Sequence, residues 1–353
     1  MSDPLTKYDH LLKDDGPAAI VMKQWFKPVG DEVVFPPTYA NPSQKKGDPP
    51  VYNLDRFDSR SVCVIDSIPS QANRIEPAFE TIAEGKLVPK VVVTVEKTGE
   101  VVNLLSAGHR AADAIVRFST LGAAIEKTFE ARLKGDSLPL AKVAPTSLVF
   151  GIWDSRGGGL KVPRLLNAII RAHDVDQHTR SAQYVPAIHD YAAAGVAAAS
   201  GETGLKKLAD QGMAAVPATA MLGGVTARGG ICRDASLNLC TLRDITTPDG
   251  KEKVKLQRYI LGLSLVALTF FDGKTLNLRQ GCQLVADTSK PTTRVLVAAD
   301  GTDKPFEITR EDAIAYAKLA AKEFGVAHAP LEGKFDPKLA KEALKKAKPE
   351  DGK

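Results

Sequence analysis

Short apolar runs and amphipathic stretches alternate along the chain, and their periods sort them into strands and helices. The run "SVCVIDS", residues 61–67, sets Val62 and Val64 on one face and Cys63 and Ile65 on the other, as expected of a central strand covered on both sides. The following "IPSQANRIEPAFETIAEGK" predicts a helix start with Ser70 as the N-cap. Two Val-rich runs in "VPKVVVTVEKTGEVVNLLSA" predict a hairpin turning through Lys97, Thr98, Gly99 and Glu100. A helical pattern covers residues 107–134, and "PTSLVFGI" predicts a strand that leads into "WDSRGGGLKVPRLLNAIIRAHDV". There the pattern predicts a helix opened by Pro163 at its favoured first position. Further strands are expected in "ICRDASLNLCTLR", "GCQLVAD" and "TRVLVAA". A last helix begins at Thr309 and Asp312, which have the spacing of a capping box.

Between these elements lie three less regular segments. Residues 1–55 contain the Pro- and Lys-rich "FPPTYANPSQKKGDPPVYNL" and read as an extended N-terminal arm. Small residues and glycines at about 190–230 read as an insertion in a core that spans 56–325. Residues 326–353 read as a Lys-rich C-terminal helix or tail.

Composition narrows the class. A chain of 353 residues with 44% hydrophobic content is a packed globular protein. Its longest strongly apolar run, residues 259–271, falls short of the ~20 residues a membrane-spanning helix needs. The N-terminus does not read as a secretory signal, so a cytoplasmic protein is expected. Cys63, Cys232, Cys240 and Cys282 form no C-x-x-C pair and are expected to be reduced and mostly buried. A net charge of +5 says less than where the charges lie.

The glycine-rich stretch carries the first candidate chemistry. Gly157, Gly158 and Gly159 sit between Arg156 and Lys161, and neither a Walker loop nor a dinucleotide fingerprint can be written over them. A loop that lets backbone approach an anion remains, leading into a helix N-terminus. On that helix Arg164, Asn167 and Arg171 would share one face, either as a basic ledge or as an ordinary solvated face. Arg110, Asp113 and Arg117 would share another, where Asp113 could instead pair with either arginine. A third candidate is "GGVTARGGICR", where glycine pairs bracket Arg228 and Arg233 follows, a pattern suited to a phosphate chain. Aromatic residues are sparse at 6%, so any nucleic acid would be held mainly by its backbone.

A competing chemistry is a metal-dependent nuclease or phosphohydrolase using His173 with Asp174 and His189 with Asp190. Six scattered histidines give that reading little support, and no metal ligand set and no cofactor are assigned. No G-x-S-x-G or H-E-x-x-H motif is present.

Taken together, "CVIDSIPSQANRIEP", "HRAADAIVRFS", "WDSRGGGLKVPRLLNAIIRAHDV", "TRSAQYVP" and "LNLRQGCQLV" resemble the backbone subunit of the subtype I-G (formerly I-U) CRISPR interference complex, or Cascade, of the RAMP superfamily. The resemblance runs from about residue 60 to residue 290. It implies an α+β fold: an RRM-like (ferredoxin-like) core with inserted lobes and a projecting thumb, many copies of which stack along a CRISPR RNA. It also implies that the turn after the first strand, Ser67, Ser70, Gln71, Asn73 and Arg74, contacts RNA. With it would act His109 and Arg110, the glycine loop with Arg156, Lys161 and Arg164, then Arg171 and Arg180, and finally Arg228 and Arg233. Implied partners are CRISPR RNA, target DNA through the guide, further copies of the chain, other Cascade subunits and a recruited helicase nuclease. Related type III subunits cleave RNA with a loop aspartate. No aspartate here is aligned to that loop, and Asp58, Asp66 and Asp154 are equally well read as structural, so the resemblance favours a non-enzyme.

Overall fold

In the computed structural model the described residues are 3–43, 48–188, 190–191, 193–196 and 202–346. They form an α+β fold around one large antiparallel sheet. Its main elements are β1 (Ala19–Pro28), β2 (Arg60–Asp66), α1 (Ile68–Ile75), β3 (Leu166–Tyr184), β4 (Val216–Asn238), α2 (Lys253–Leu268), β5 (Leu276–Arg279), β6 (Cys282–Ala286), β7 (Thr293–Val297) and α3 (Arg310–Phe324). The strand order is β5-β6-β1-β4-β3-β2, and Leu54–Phe57 adds an edge beside β2. β7 pairs with the first half of β1, while β6 pairs with its last three residues.

β1 lies in the middle of this sheet, so the first 55 residues are not merely an extended arm. Its sequence alternates with period two: Ile20, Met22, Gln24 and Phe26 are buried, and Val21, Lys23, Trp25 and Lys27 turn to the other face. Proline and lysine are concentrated after it, which hides the alternation from a reading of average composition. Tyr8 and Leu11 are also in the core, and Arg258 of α2 ties the start of the chain down through Asp9 at 2.6 Å.

The stretch after Pro163 is a strand, not a helix. Leu166, Ala168, Ile170 and Ala172 are buried and their odd-numbered neighbours are only partly so. Leu165, Leu166, Ile169 and Ile170 have helical spacing, whereas the buried strand face is completed by the small Ala168 and Ala172. Pairing with β4 on one side and β2 on the other decides for the strand. Asn167 and Arg171 therefore share a strand face, and Arg164 precedes it. "PTSLVFGI" reverses in the other direction. Thr146–Phe150 is a one-turn helix buried all round, closed by Gly151 at φ +75°, and only Ile152–Trp153 is extended.

Residues 107–134 are a broken helix. Arg110–Ala112, Ala114–Arg117 and Gly122–Leu133 are separate pieces. Asp113 caps the middle piece by accepting from the Ile115 N–H at 3.1 Å, and also accepts from the His109 N–H at 3.2 Å. The α1 N-cap is Ser67, whose hydroxyl accepts from the Ser70 N–H. The Val91–Val95 and Glu100–Asn103 hairpin forms as expected, and Leu331–Lys334 joins it in parallel as a third strand. "ICRDASLN" ends β4, after which Leu239–Arg243 is helical.

α1 and α2 cover the inner face of the sheet, and α3 covers α2. Sandwiched in this way, α2 is buried on every side from Tyr259 to Leu268. Gly262 lets it approach α3, where a Cβ would come within 2.9 Å of Ala317 Cα. α3 opens with the capping box of Thr309 and Asp312 and ends at Gly325 in the left-handed conformation. Cys63, Cys232 and Cys282 are buried and Cys240 is exposed, all as free thiols. Among the described residues no helix is long and apolar enough to cross a membrane.

β3 and β4 continue past the sheet as a long hairpin. Beyond Val175 the residues of β3 are mostly exposed, and the pairing persists to Tyr184 and Val216. Residues 216–230 of the expected insertion are thus the returning strand of this hairpin. Gly224 and Gly230, at φ +91° and +92°, fall where the register shifts, so the glycine pairs around Arg228 serve bulges in β4.

Candidate nucleic-acid interface

Three separate segments meet at one cleft of about 790 Å³. The start of α1 contributes Pro69 and Asn73. The broken helix contributes His109, Arg110 and Arg117. The small hairpin formed by Ile152–Trp153 and Lys161–Val162 contributes Trp153, Arg156 and Lys161, with Arg164 just beyond. The glycine loop is the turn of this hairpin and does not open a helix, so the expected helix N-terminus is replaced by side-chain charge.

Two of the three glycines are explained by the turn itself. A Cβ on Gly157 would collide with the Asp154 carboxylate, and Gly159 has φ +75°. Gly158 has open space around it. Asp154 is buried, donates its N–H to the Leu160 carbonyl at 2.8 Å, and pairs with Arg117. The loop is therefore stapled to the broken helix, and Arg156 and Lys161 stand on a fixed base.

At the floor of the cleft Arg110, itself at φ +53°, is buried against Glu76 at 2.6 Å. It also donates to the Gly151 carbonyl at 3.3 Å and to Asn73 Oδ1 at 3.4 Å. Burial pushes the Glu76 carboxyl up to about 7 against the pull of Arg110 and a hydrogen bond from Thr146. Burial, with Arg110 nearby, also holds Arg164 below its ordinary value. Its buried Nη1 has no hydrogen-bond partner among the described residues. Arg156, Lys161 and Arg164 likewise have no carboxylate partner there, while Arg110 and Arg117 do. An anion entering this cleft meets unpaired positive charge in a partly desolvated setting, where a charge-assisted hydrogen bond is strongest.

Residues 20–177 match the family model described as CRISPR-associated protein GSU0053. This stretch, just under half of the chain, is similar to that CRISPR-associated family. The match contains β1 from its second residue on, β2, α1 and every residue that lines the cleft, and it stops within β3. It supports a role in CRISPR defence. No curated protein matches the chain.

Of the residues expected to contact RNA, Asn73, His109, Arg110, Arg156, Lys161 and Arg164 line the cleft, whereas Gly157, Gly158 and Gly159 are not among its lining residues. Others are placed elsewhere. Ser70, Gln71 and Arg74 turn inward to Asp66, which accepts from them at 2.7, 2.6 and 3.1 Å. Arg233 is fully buried, donating to Gln71 Oε1 at 3.0 Å and the Leu268 carbonyl at 3.1 Å, and so ties α1 and α2 to β4. That burial lowers its guanidinium to about 10. Arg171 lies on the open sheet face 3.7 Å from Asp234, Arg228 pairs with Asp176 at 3.1 Å, and Arg180 sits over the Phe35 ring on the projecting hairpin.

His173 and Asp174 lie on β3, and His189 lies outside the described residues. Among the described residues no group of three or more His, Cys, Asp or Glu side chains could hold a metal ion. The residues that composition and motif left unmarked are Trp153 and Arg117 as a partner of Asp154. A tryptophan next to a glycine turn in a chain with only two was the available signal for the first. No local pattern announces the second.

Proposed function

We propose that the chain is a CRISPR RNA-binding backbone subunit of a type I interference complex, of subtype I-G. It oligomerises along the guide, presents it for pairing with target DNA, and acts without catalysis of its own beside other Cascade subunits and a recruited helicase nuclease. The observation that carries this reading is the cleft, where Arg156, Lys161 and Arg164 have no carboxylate partner among the described residues and surround a buried Arg110, inside the stretch similar to the CRISPR-associated family. Distributed cations with little aromatic surface suit a phosphate backbone of any sequence.

The topology supports the RRM-like part of the reading. α1 comes between β1 and β3, and α2 between β4 and β6, while the strands lie in the order β6-β1-β4-β3. This order is compatible with the β-α-β-β-α-β arrangement of ferredoxin-like folds and supports that reading. The β3–β4 hairpin, with Tyr184, Val216 and Met221 exposed near its end, is the thumb in this reading.

The test is the salt dependence of binding to a labelled single-stranded RNA, wild type against Lys161→Ala with Arg164→Ala. Each lost phosphate contact flattens the slope of log K against log salt by about 0.7, so the double variant is expected to lose about 1.4. An unchanged slope in a folded double variant would remove the cleft from the interface. Failure of the wild type to bind any RNA, alone or coexpressed with a CRISPR array, would overturn the function.

A further inference from the structure

Trp153 is 64% exposed although it stands on a short, well-anchored hairpin. Its neighbour in sequence, Ile152, and the cross-strand Val162 are buried, and Asp154 is held by both Leu160 and Arg117. The indole is therefore presented by fixed backbone at the wall of the basic cleft. Lys161, directly across the hairpin, places its ammonium 5.5 Å from the ring centroid. The second tryptophan differs. Trp25 on the open sheet face has Lys290 at 4.5 Å from its ring, with that ammonium anchored to the Gly229 carbonyl, and the His173 ring 6.0 Å away.

Resting on the RNA-binding reading above, we propose that Trp153 is a stacking platform for one unpaired nucleobase, so that the cleft selects single-stranded over double-stranded nucleic acid. A flat, exposed indole flanked by Lys161 and Arg156 offers a base a π-face while the cations take the adjoining phosphates. A base in a duplex has both faces covered by its neighbours and cannot use the platform. Stacking tolerates any base, which agrees with a cleft that otherwise reads only the backbone.

The experiment titrates the full chain with oligouridylate, following indole fluorescence and, in parallel, the anisotropy of a labelled oligonucleotide. Fluorescence of the Trp25→Phe variant is expected to be quenched on binding, and that of Trp153→Phe to be unaffected. Trp153→Ala is expected to weaken binding by about 5- to 150-fold, the ratio that ~1–3 kcal/mol of stacking represents, with its salt slope unchanged. Wild type and Trp153→Ala should bind an abasic oligomer of equal length alike. Tight binding by Trp153→Ala, or quenching that survives in Trp153→Phe, would overturn the platform and leave the RNA-binding reading standing. No binding of any oligonucleotide by the wild type would overturn both.

Discussion

Replacing Asp66 with alanine should unfold the chain more readily than any single change at the surface of the cleft. Asp66 is 1% exposed and receives the Ser70 hydroxyl, the Gln71 amide, and the guanidinium groups of Arg74 and, at 3.4 Å, Arg279. Without the carboxylate, the buried Gln71 amide loses its acceptor, which costs about 1–3 kcal/mol. The two arginines lose a buried counter-charge, for which about 3–5 kcal/mol would be the figure if they were fully buried. Their side chains are 32% and 24% exposed, and each keeps backbone acceptors, Leu278 for Arg74 and Ile65 with Phe35 for Arg279. Solvent therefore screens part of that term, and the expected total for Asp66→Ala is about 3–5 kcal/mol. Asp66→Asn, which keeps an acceptor, should lose less, about 1–3 kcal/mol. Urea unfolding of the three proteins at neutral pH, repeated at high salt, measures both values. The carboxylate is buried, so the differences should persist in salt. A loss below about 1 kcal/mol for Asp66→Ala, at unchanged dependence on urea, would refute the view that this carboxylate holds α1, and with it Asn73, in place.

Thermal unfolding should rank three alanine variants of the glycine loop. Gly157→Ala forces the Asp154 carboxylate away from Arg117 and should cost about 1–3 kcal/mol. Gly159→Ala, at φ +75°, should cost about 1–2 kcal/mol, and Gly158→Ala should stay within about 0.5 kcal/mol of wild type. Equal midpoints for all three would mean the turn is not built as described. A second test concerns pH. Glu76 holds its proton more tightly when folded, about 7 against an ordinary 4.5, so its contribution to stability is complete below about 4.5 and is lost as pH rises through about 7. Relative to Glu76→Gln, the wild type should therefore lose stability as pH rises between these limits, and parallel pH profiles of the two would refute it.

The segments of sequence that carry strong local rules match the structure. The capping box at Thr309, the Val91–Asn103 hairpin and the strand ending at Asp66 depend on neighbours a few residues apart, so their chemistry is complete within the chain's own order. The basic residues destined for the cleft were also legible as basic residues near glycines or helix starts. Their meeting was not, because Asn73, Arg110 and Arg164 are separated by dozens of residues and converge only through packing.

Tertiary structure decided the remaining questions by supplying partners. Leu165, Leu166, Ile169 and Ile170 have helical spacing, and two flanking strands made the segment a strand. Arg74 and Arg164 look alike in sequence, yet one faces a buried carboxylate and the other pairs with none among the described residues. Arg233, read as a phosphate contact, is fully buried because its guanidinium finds acceptors on α1 and α2. Charge and period along a chain say which interactions a residue can make. Burial and long-range pairing determine which of them it does make, since a buried donor must find an acceptor and a solvated one need not.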